Sequence, residues 1–299
     1  MNHKKTPFRR ALIWSMVLLL SLAAVHAALA ADLKEIKQRG VLRHLGIPYA
    51  NFVTGSGDGL DVELVRLFAQ HLGVKYQYVE ASWDSVIGDL TGKKVKSKGD
   101  DIEIVGEVPI KGDIIANGFT ILPWRQKIVD FSTPTFPNQI WLVAKADSPL
   151  QPIAPQATVE RDIAAVKAML KGRSLLGKAS TCLDPSLYNL KVTGAKIKLF
   201  QGSLNDLAPA VIEGDAEVTL LDVPDALVAL DKFPGKIKII GPVTEKQLMG
   251  CGFAKNSPEL RNAFNQFLDQ AKRDGTYLIL VKRYYPKVFN YYREFFEER

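Results

Sequence analysis

Apolar residues recur at helical spacing over residues 60–72: Leu64, Val65, Phe68 and Leu72 share one face between Asp61, a candidate N-cap, and Gly73, a stop. β-like runs flank this helix, Val41 to Leu45 before it and Lys75 to Val79 after it. Strand, helix and strand with tight connections predict an α/β unit with parallel strands. The alternation returns downstream, with Ser174 to Gly177 as a short strand, Ser203 to Glu213 as a helix capped by Ser203 and ended by Gly214, and Val218 to Leu221 as a buried strand. Two α/β regions of about 100–150 residues each are expected. The tail reads as helical: Ser257-Pro258-Glu259 caps a helix whose stripe is Leu260, Phe264, Phe267, Leu268 and Ala271, Gly275 stops it, and Thr276 starts another through Tyr284. The later aromatics Phe289, Tyr291, Tyr292, Phe295 and Phe296 are expected to pack the tail against the rest of the chain. From Gly92 to Ile110 the rhythm breaks. A Lys-rich run turns at Lys98-Gly99-Asp100 into alternating Ile102, Ile104 and Val108, which predicts an inserted surface hairpin.

The beginning of the chain changes the picture of its compartment. Lys4, Lys5, Arg9 and Arg10 precede an apolar run from Ala11 to about Val25 and then Ala28-Leu29-Ala30, the pattern of a secretory signal peptide covering residues 1–30. The run is short, contains Ser15 and Ser21 and ends in small residues, which disfavours a membrane anchor. No cysteine follows until Cys182, so a lipid-bearing residue is missing, and a soluble, monomeric periplasmic chain starting at Ala31 is expected. The first thirty residues hold four of the 39 Lys and Arg and none of the 32 Asp and Glu, so the formal charge of +7 falls to +3 without them. A mild, scattered excess gives no case for nucleic acid or an anionic membrane as partner. In an oxidising compartment the two cysteines, Cys182 and Cys251, are expected to pair as one disulfide.

Catalytic and cofactor motifs are sparse. Gly172 to Lys178 approaches a phosphate loop, but Ala179 stands where the magnesium-binding hydroxyl is needed. Past residue 30 only His44 and His71 remain, His71 on the solvent side of its helix, too few for a metal cluster or a Ser/His/Asp triad. No cofactor and no metal are expected.

Five stretches carry a resemblance: Gly118-Phe119-Thr120-Ile121-Leu122-Pro123-Trp124-Arg125 followed by Val129-Asp130-Phe131-Ser132; Gly59 to Leu64; and Gly214 to Asp222 with Asp274-Gly275-Thr276. In order and spacing they resemble the family 3 bacterial extracellular solute-binding proteins, amino-acid receptors of ABC importers, over nearly the whole chain after residue 30. The resemblance implies a two-lobed α/β fold in which each lobe is a mixed sheet flanked by helices. Lobe 1 would take residues 31–137 and 249–299, with the hairpin at about 92–110 inserted, and lobe 2 residues 138–248. Two crossing strands would fall near Phe136 to Ile140 and Gln247 to Gly252, with the ligand in the cleft beyond the carboxyl ends of the strands.

An amino acid presents a carboxylate and an ammonium at fixed separation. The resemblance assigns the carboxylate to Arg125, whose planar guanidinium can donate two parallel hydrogen bonds, and the ammonium to Asp222. The plainer alternatives are a surface Arg125 and an Asp222 that caps the helix containing Pro224. Thr120 would assist at the carboxylate, Gly118 would offer its carbonyl to the ammonium, and Asn117 would line the same rim. Thr181 matches a lobe 2 loop donor, although Ser180 and Cys182 stand where the family has glycine and threonine. Tyr49 and Trp83 match two aromatic positions that sandwich a ligand side chain, with core packing as the alternative. Phe52 reads as core, and Trp124 as a narrowing of the mouth. The implied partner is the membrane permease of an ABC importer. The fold supports equally a sensor subunit of a membrane signalling or redox complex, and less readily a dehydratase, for which Glu80 and Asp84 are the nearby acids.

Overall fold

The computed structural model describes residues 30–297; the expected signal peptide lies outside the described residues, apart from its last residue. Two five-stranded mixed sheets, each flanked by helices, form the two lobes. The first sheet has the order β2-β1-β5-β14-β6, built from Val41–Gly46 (β1), Lys75–Glu80 (β2), Ile114–Ile115 (β5), Val129–Phe131 (β6) and Gly252–Ala254 (β14). β1 runs parallel to β2 and β5, while β14, arriving from late in the chain, is antiparallel to β5 and β6. The second sheet has the order β10-β9-β11-β8-β12, from Ile140–Lys145 (β8), Ser174–Gly177 (β9), Lys196–Leu199 (β10), Val218–Asp222 (β11) and Ile237–Pro242 (β12). Between the sheets, Phe136–Asn138 (β7) and Gln247–Met249 (β13) pair antiparallel and form the hinge.

The helices α1 (Leu33–Arg39), α2 (Leu60–Leu72) and α8 (Pro258–Arg273) pack on the first sheet, and α9 (Thr276–Tyr284) packs on α2 and α8. α2 begins one residue before the expected cap: Gly59 is the N-cap, and Asp61 lies inside the first turn, where its carboxylate leaves the helix to accept the Gly118 N–H at 2.7 Å. On the second sheet α5 is Val159–Ala168. The expected helix from Ser203 divides into a 3₁₀ turn, Leu204–Asp206, and α6 (Leu207–Glu213), followed later by α7 (Val223–Lys232). Two short helices, α3 (Val86–Thr91) and α4 (Pro123–Gln126), complete lobe 1.

The Lys-rich segment forms an exposed two-stranded hairpin, Lys93–Lys98 (β3) with Asp101–Glu107 (β4), bulged between Lys94 and Val95. Val95 and Ile102 turn toward the core, Ile104 is exposed, and basic and acidic residues face each other in register, as at Lys98 and Asp101. The tail helix α10 (Phe289–Glu297) lies along the hinge. Its Phe296 packs on Phe136 at 5.6 Å and Tyr291 on Trp141 at 5.6 Å, and just before it Lys287 is ion-paired with Asp231 on α7. Among the described residues no helix is long and apolar enough to cross a membrane.

The expected disulfide is absent: both cysteines are free and buried, each among its own partners. The Cys182 thiol donates to Asp222 Oδ2 at 3.5 Å in lobe 2. Cys251 is fixed beside β6 by exchange of backbone and side-chain hydrogen bonds with Ser132. Burial pushes both thiols up, away from the thiolate that oxidation requires.

Candidate functional site

Arg125 sits on α4, started by Pro123 at its first turn, and its side chain points inward: the residue is 1 % exposed. Nη1 donates to the Thr120 carbonyl at 2.9 Å, and Nε has no partner among the described residues. The guanidinium lies 4.2 Å from the Phe119 ring, 5.3 Å from Trp124 and 5.8 Å from Trp83. No described carboxylate forms a salt bridge with it. Burial lowers its pKa to about 10, so it stays charged. A buried cation held by one carbonyl and three rings is under-compensated, at a cost of several kcal/mol. It therefore presents a strong demand for an anion.

The opposite sign lies across the cleft. Asp222, fully buried, ends β11 and caps α7, accepting the Asp225 N–H at 3.2 Å; Pro224 occupies the first turn. It also accepts hydrogen bonds from the Tyr49 hydroxyl, contributed by lobe 1, and from Cys182. Burial raises its carboxyl to about 6, the Tyr49 hydrogen bond opposing that shift. Behind it Asp225 is also buried, with Oδ2 unpartnered among the described residues and its pKa raised by burial and by Asp222. The capping role of Asp222 does not exhaust its lone pairs, so capping and cleft exposure to a cation are compatible.

Thr120 and Asn117 are fully buried, and Asn138 of the hinge donates to Thr120 Oγ1 at 3.4 Å. Both amide atoms of Asn117 lack partners among the described residues. Gly118 has φ +66°, and a Cβ there would meet the Phe52 ring at 2.4 Å, so the chain passes close over Phe52 only as glycine. The rim is held from both sides. Asp61 accepts the Gly118 N–H, and His44 Nε2 lies 2.6 Å from the Ala116 carbonyl. That carbonyl can only accept, so Nε2 carries the proton and Nδ1 accepts from the Tyr76 hydroxyl at 2.8 Å.

Tyr49 and Trp83 touch edge to face, at 5.7 Å and 82°, and do not stand as parallel walls. Tyr49 is drawn against Phe52 at 6.3 Å and 20°, with its hydroxyl on Asp222. Trp83 remains half-buried. Phe52 is fully buried in the core. Thr181 spends its hydroxyl on its own loop, donating to Lys178 O at 2.8 Å and accepting Leu183 N–H at 3.0 Å. Ser180 has φ +63°, the conformation that the glycine of the resembled motif would take without strain. The loop is closed by the Tyr188 hydroxyl donating to the Cys182 carbonyl at 2.5 Å. Asn138 and Tyr188 escaped sequence reading. Asn138 had a signal, its place inside the Phe136 to Ile140 crossing; Tyr188 had none. Glu80 and Asp84 are exposed.

This arrangement has known counterparts. Residues 110–287 match the family described as bacterial extracellular solute-binding proteins, family 3. The chain is 26% identical to a probable amino-acid ABC transporter-binding protein of Haemophilus influenzae, over 91% of this chain and 94% of that one. It is 23% identical to the L-cystine-binding protein TcyJ of Escherichia coli, covering 85% of each. It is also 26% identical to the membrane-bound lytic murein transglycosylase F of Desulfosudis oleivorans, covering 77% of this chain but spanning only 44% of that protein's length. Among solved structures, holo ArgBP from T. maritima superposes with a TM-score of 0.63 at 25% identity, covering 84% of this chain and 99% of that one. The ancestral amino acid-binding protein AncCDT-1, a precursor of cyclohexadienyl dehydratase, gives 0.65 at 25%, covering 85% and 100%. Two sheets joined by a paired hinge, with a family match over most of the cleft-forming chain, lead to one conclusion: this chain belongs to the family 3 bacterial extracellular solute-binding proteins.

Proposed function

We propose that the protein is a periplasmic receptor that captures an α-amino acid, or a similar small ligand bearing an amino and a carboxylate group, between its lobes and presents it to an ABC importer. The observation that carries this reading is Arg125: a buried guanidinium with aromatic walls and no carboxylate partner among the described residues. A ligand carboxylate would supply the missing charge, with Thr120, Asn117 and Thr181 around it, and Asp222 with the Gly118 carbonyl would take the ammonium. Tyr49 and Trp83 would bound the ligand side chain. Capture followed by lobe closure needs no bond-making group, and Glu80 and Asp84, the acids that the sequence suggested for a dehydratase, stand in solvent. The amino-acid and cystine receptors among the relatives support the same ligand class.

The test is a melting-temperature screen of residues 31–299 against the standard amino acids and cystine, with Arg125→Met in parallel. A ligand that binds the native state alone raises the melting temperature by mass action, about 2.7 kcal/mol at a hundredfold excess over its Kd. Stabilisation of the native chain but not of the variant is expected. Equal stabilisation of both would remove Arg125 from the site, and no stabilisation by any amino acid would overturn the ligand class.

A further inference from the structure

Residues 48–53 follow β1 into the cleft and are pinned in place from behind. The Asn51 N–H donates to the Tyr285 hydroxyl at 2.8 Å and Asn51 Nδ2 to the Tyr284 carbonyl at 2.8 Å, while Tyr49 and Val53 bridge each other. Between these anchors Ala50 is held at φ +46°, one of three described non-glycine residues in the left-handed region. An alanine there is strained, and such strain persists only where the surroundings enforce it. Here the Ala50 N–H is directed out of lobe 1 and donates at 2.8 Å to Oδ1 of Asn205, which belongs to the 3₁₀ turn before α6 on the lobe 2 sheet. Asn205 is half-buried, and its side chain makes no other hydrogen bond among the described residues.

We infer that Asn205 is a closure residue: its side chain receives the strained Ala50 amide only when the lobes are together, and so raises ligand affinity without touching ligand. The inference rests on the receptor reading above, since closure matters only if something is enclosed. The bond differs in kind from the neighbouring Tyr49–Asp222 contact, because Asp222 belongs to the proposed ammonium site and Asn205 to none. A hydrogen bond present in the closed form alone shifts the closure equilibrium by its net worth, and the apparent Kd follows the closed fraction. In a half-buried setting that is about fivefold.

The test compares wild type, Asn205→Ala and Asn205→Asp, the last keeping an acceptor oxygen at the same place. Small-angle X-ray scattering on protein without added ligand, and stopped-flow fluorescence with L-cystine, L-arginine and L-histidine, are the readouts. For Asn205→Ala we expect a larger radius of gyration, dissociation faster by about fivefold for whichever probe binds, and an unchanged melting temperature before ligand is added. Asn205→Asp should restore the wild-type values. An unchanged radius together with unchanged dissociation overturns the inference. So does a fall in the melting temperature of the ligand-free alanine variant that accounts for the lost affinity, because Asn205 would then be supporting lobe 2. If none of the three probes binds, the ligand class comes into question, while the scattering comparison still decides the role of Asn205.

Discussion

Substituting Gly118 by alanine isolates how tightly the segment Asn117 to Thr120 is packed. Two costs add. The left-handed φ of +66° penalises any Cβ by roughly 1–2 kcal/mol. The new methyl would also stand 2.4 Å from Cδ2 and 2.5 Å from Cε2 of Phe52, a ring that cannot step aside because Phe136 and Tyr285 pack on it at 5.2 and 5.0 Å. Overpacking of this kind costs about 1–3 kcal/mol. Gly118→Ala should therefore destabilise the fold by about 2–5 kcal/mol, measured by urea unfolding on protein that starts at residue 31. The two costs can be separated with Phe52→Leu, which opens space but leaves φ unchanged. In the background of that variant, Gly118→Ala should cost only the backbone share, and the coupling between the two changes should reach at least about 1 kcal/mol. A Gly118→Ala effect below about 0.5 kcal/mol, the level of an ordinary surface change, would refute the close approach to Phe52 and with it the described path of this segment.

Other consequences are open to measurement. Arg125→Met should leave the ligand-free melting temperature unchanged or higher, because it removes a buried, under-compensated cation from among three rings; a melting temperature several degrees lower would mean that Arg125 is structurally paired. Burial raises Asp61 from 3.8 to about 7, so the native state binds more protons than the unfolded chain between those values, and this group's contribution to stability falls as pH rises through that window and is flat above it. Buried His44, lowered from 6.5 to about 4, works the other way, its contribution rising with pH between those values. Asp61→Asn should make the melting temperature fall less, or rise more, between pH 4 and 7 than in wild type, and identical slopes would contradict the burial of Asp61. Ser180→Gly should be neutral or stabilising by up to about 1 kcal/mol in calorimetry, since the strain relieved offsets the added freedom of the unfolded chain. Two thiols should titrate with a thiol reagent in denaturant and almost none in buffer, and reductant should not move the melting temperature.

The elements with strong periodicity were legible in the sequence. β1, β2, β9, β11, α2, α8 and α9 stand where the alternation and the glycine stops place them, to within a residue or two. Periodicity alone gave the two α/β regions, and the resemblance to the family added the paired hinge that joins them. What the sequence concealed depends on contacts between distant segments. An exported compartment favours pairing Cys182 with Cys251, yet only the fold tells that the Cys182 thiol meets Asp222 while the Cys251 backbone is tied to Ser132. Asp61 reads as a cap because caps are local; its actual partner, Gly118, lies 57 positions away. Nor does the sequence tell how the two aromatics meet: the Tyr49 ring stacks on Phe52, reaches Asp222 with its hydroxyl and stands edge-on to Trp83. Asn205 and Tyr188 carry no periodic pattern at all, because a single hydrogen bond, across the cleft for Asn205 and within one loop for Tyr188, leaves no period in the chain.

The order of strands in the first sheet bears on how the molecule comes to exist. All five strands of the second sheet lie between Ile140 and Pro242, so that lobe can assemble from a continuous stretch of chain. The first sheet lacks its fourth strand until Gly252–Ala254 inserts between β5 and β6, more than a hundred residues after either. Long-range pairings of this kind form late, and until they form the open edges are exposed to other chains. The second lobe should therefore gain hydrogen-exchange protection first during refolding, and the lobe that begins the chain should be the last to close, with its hinge settled only after the final aromatic residues have docked.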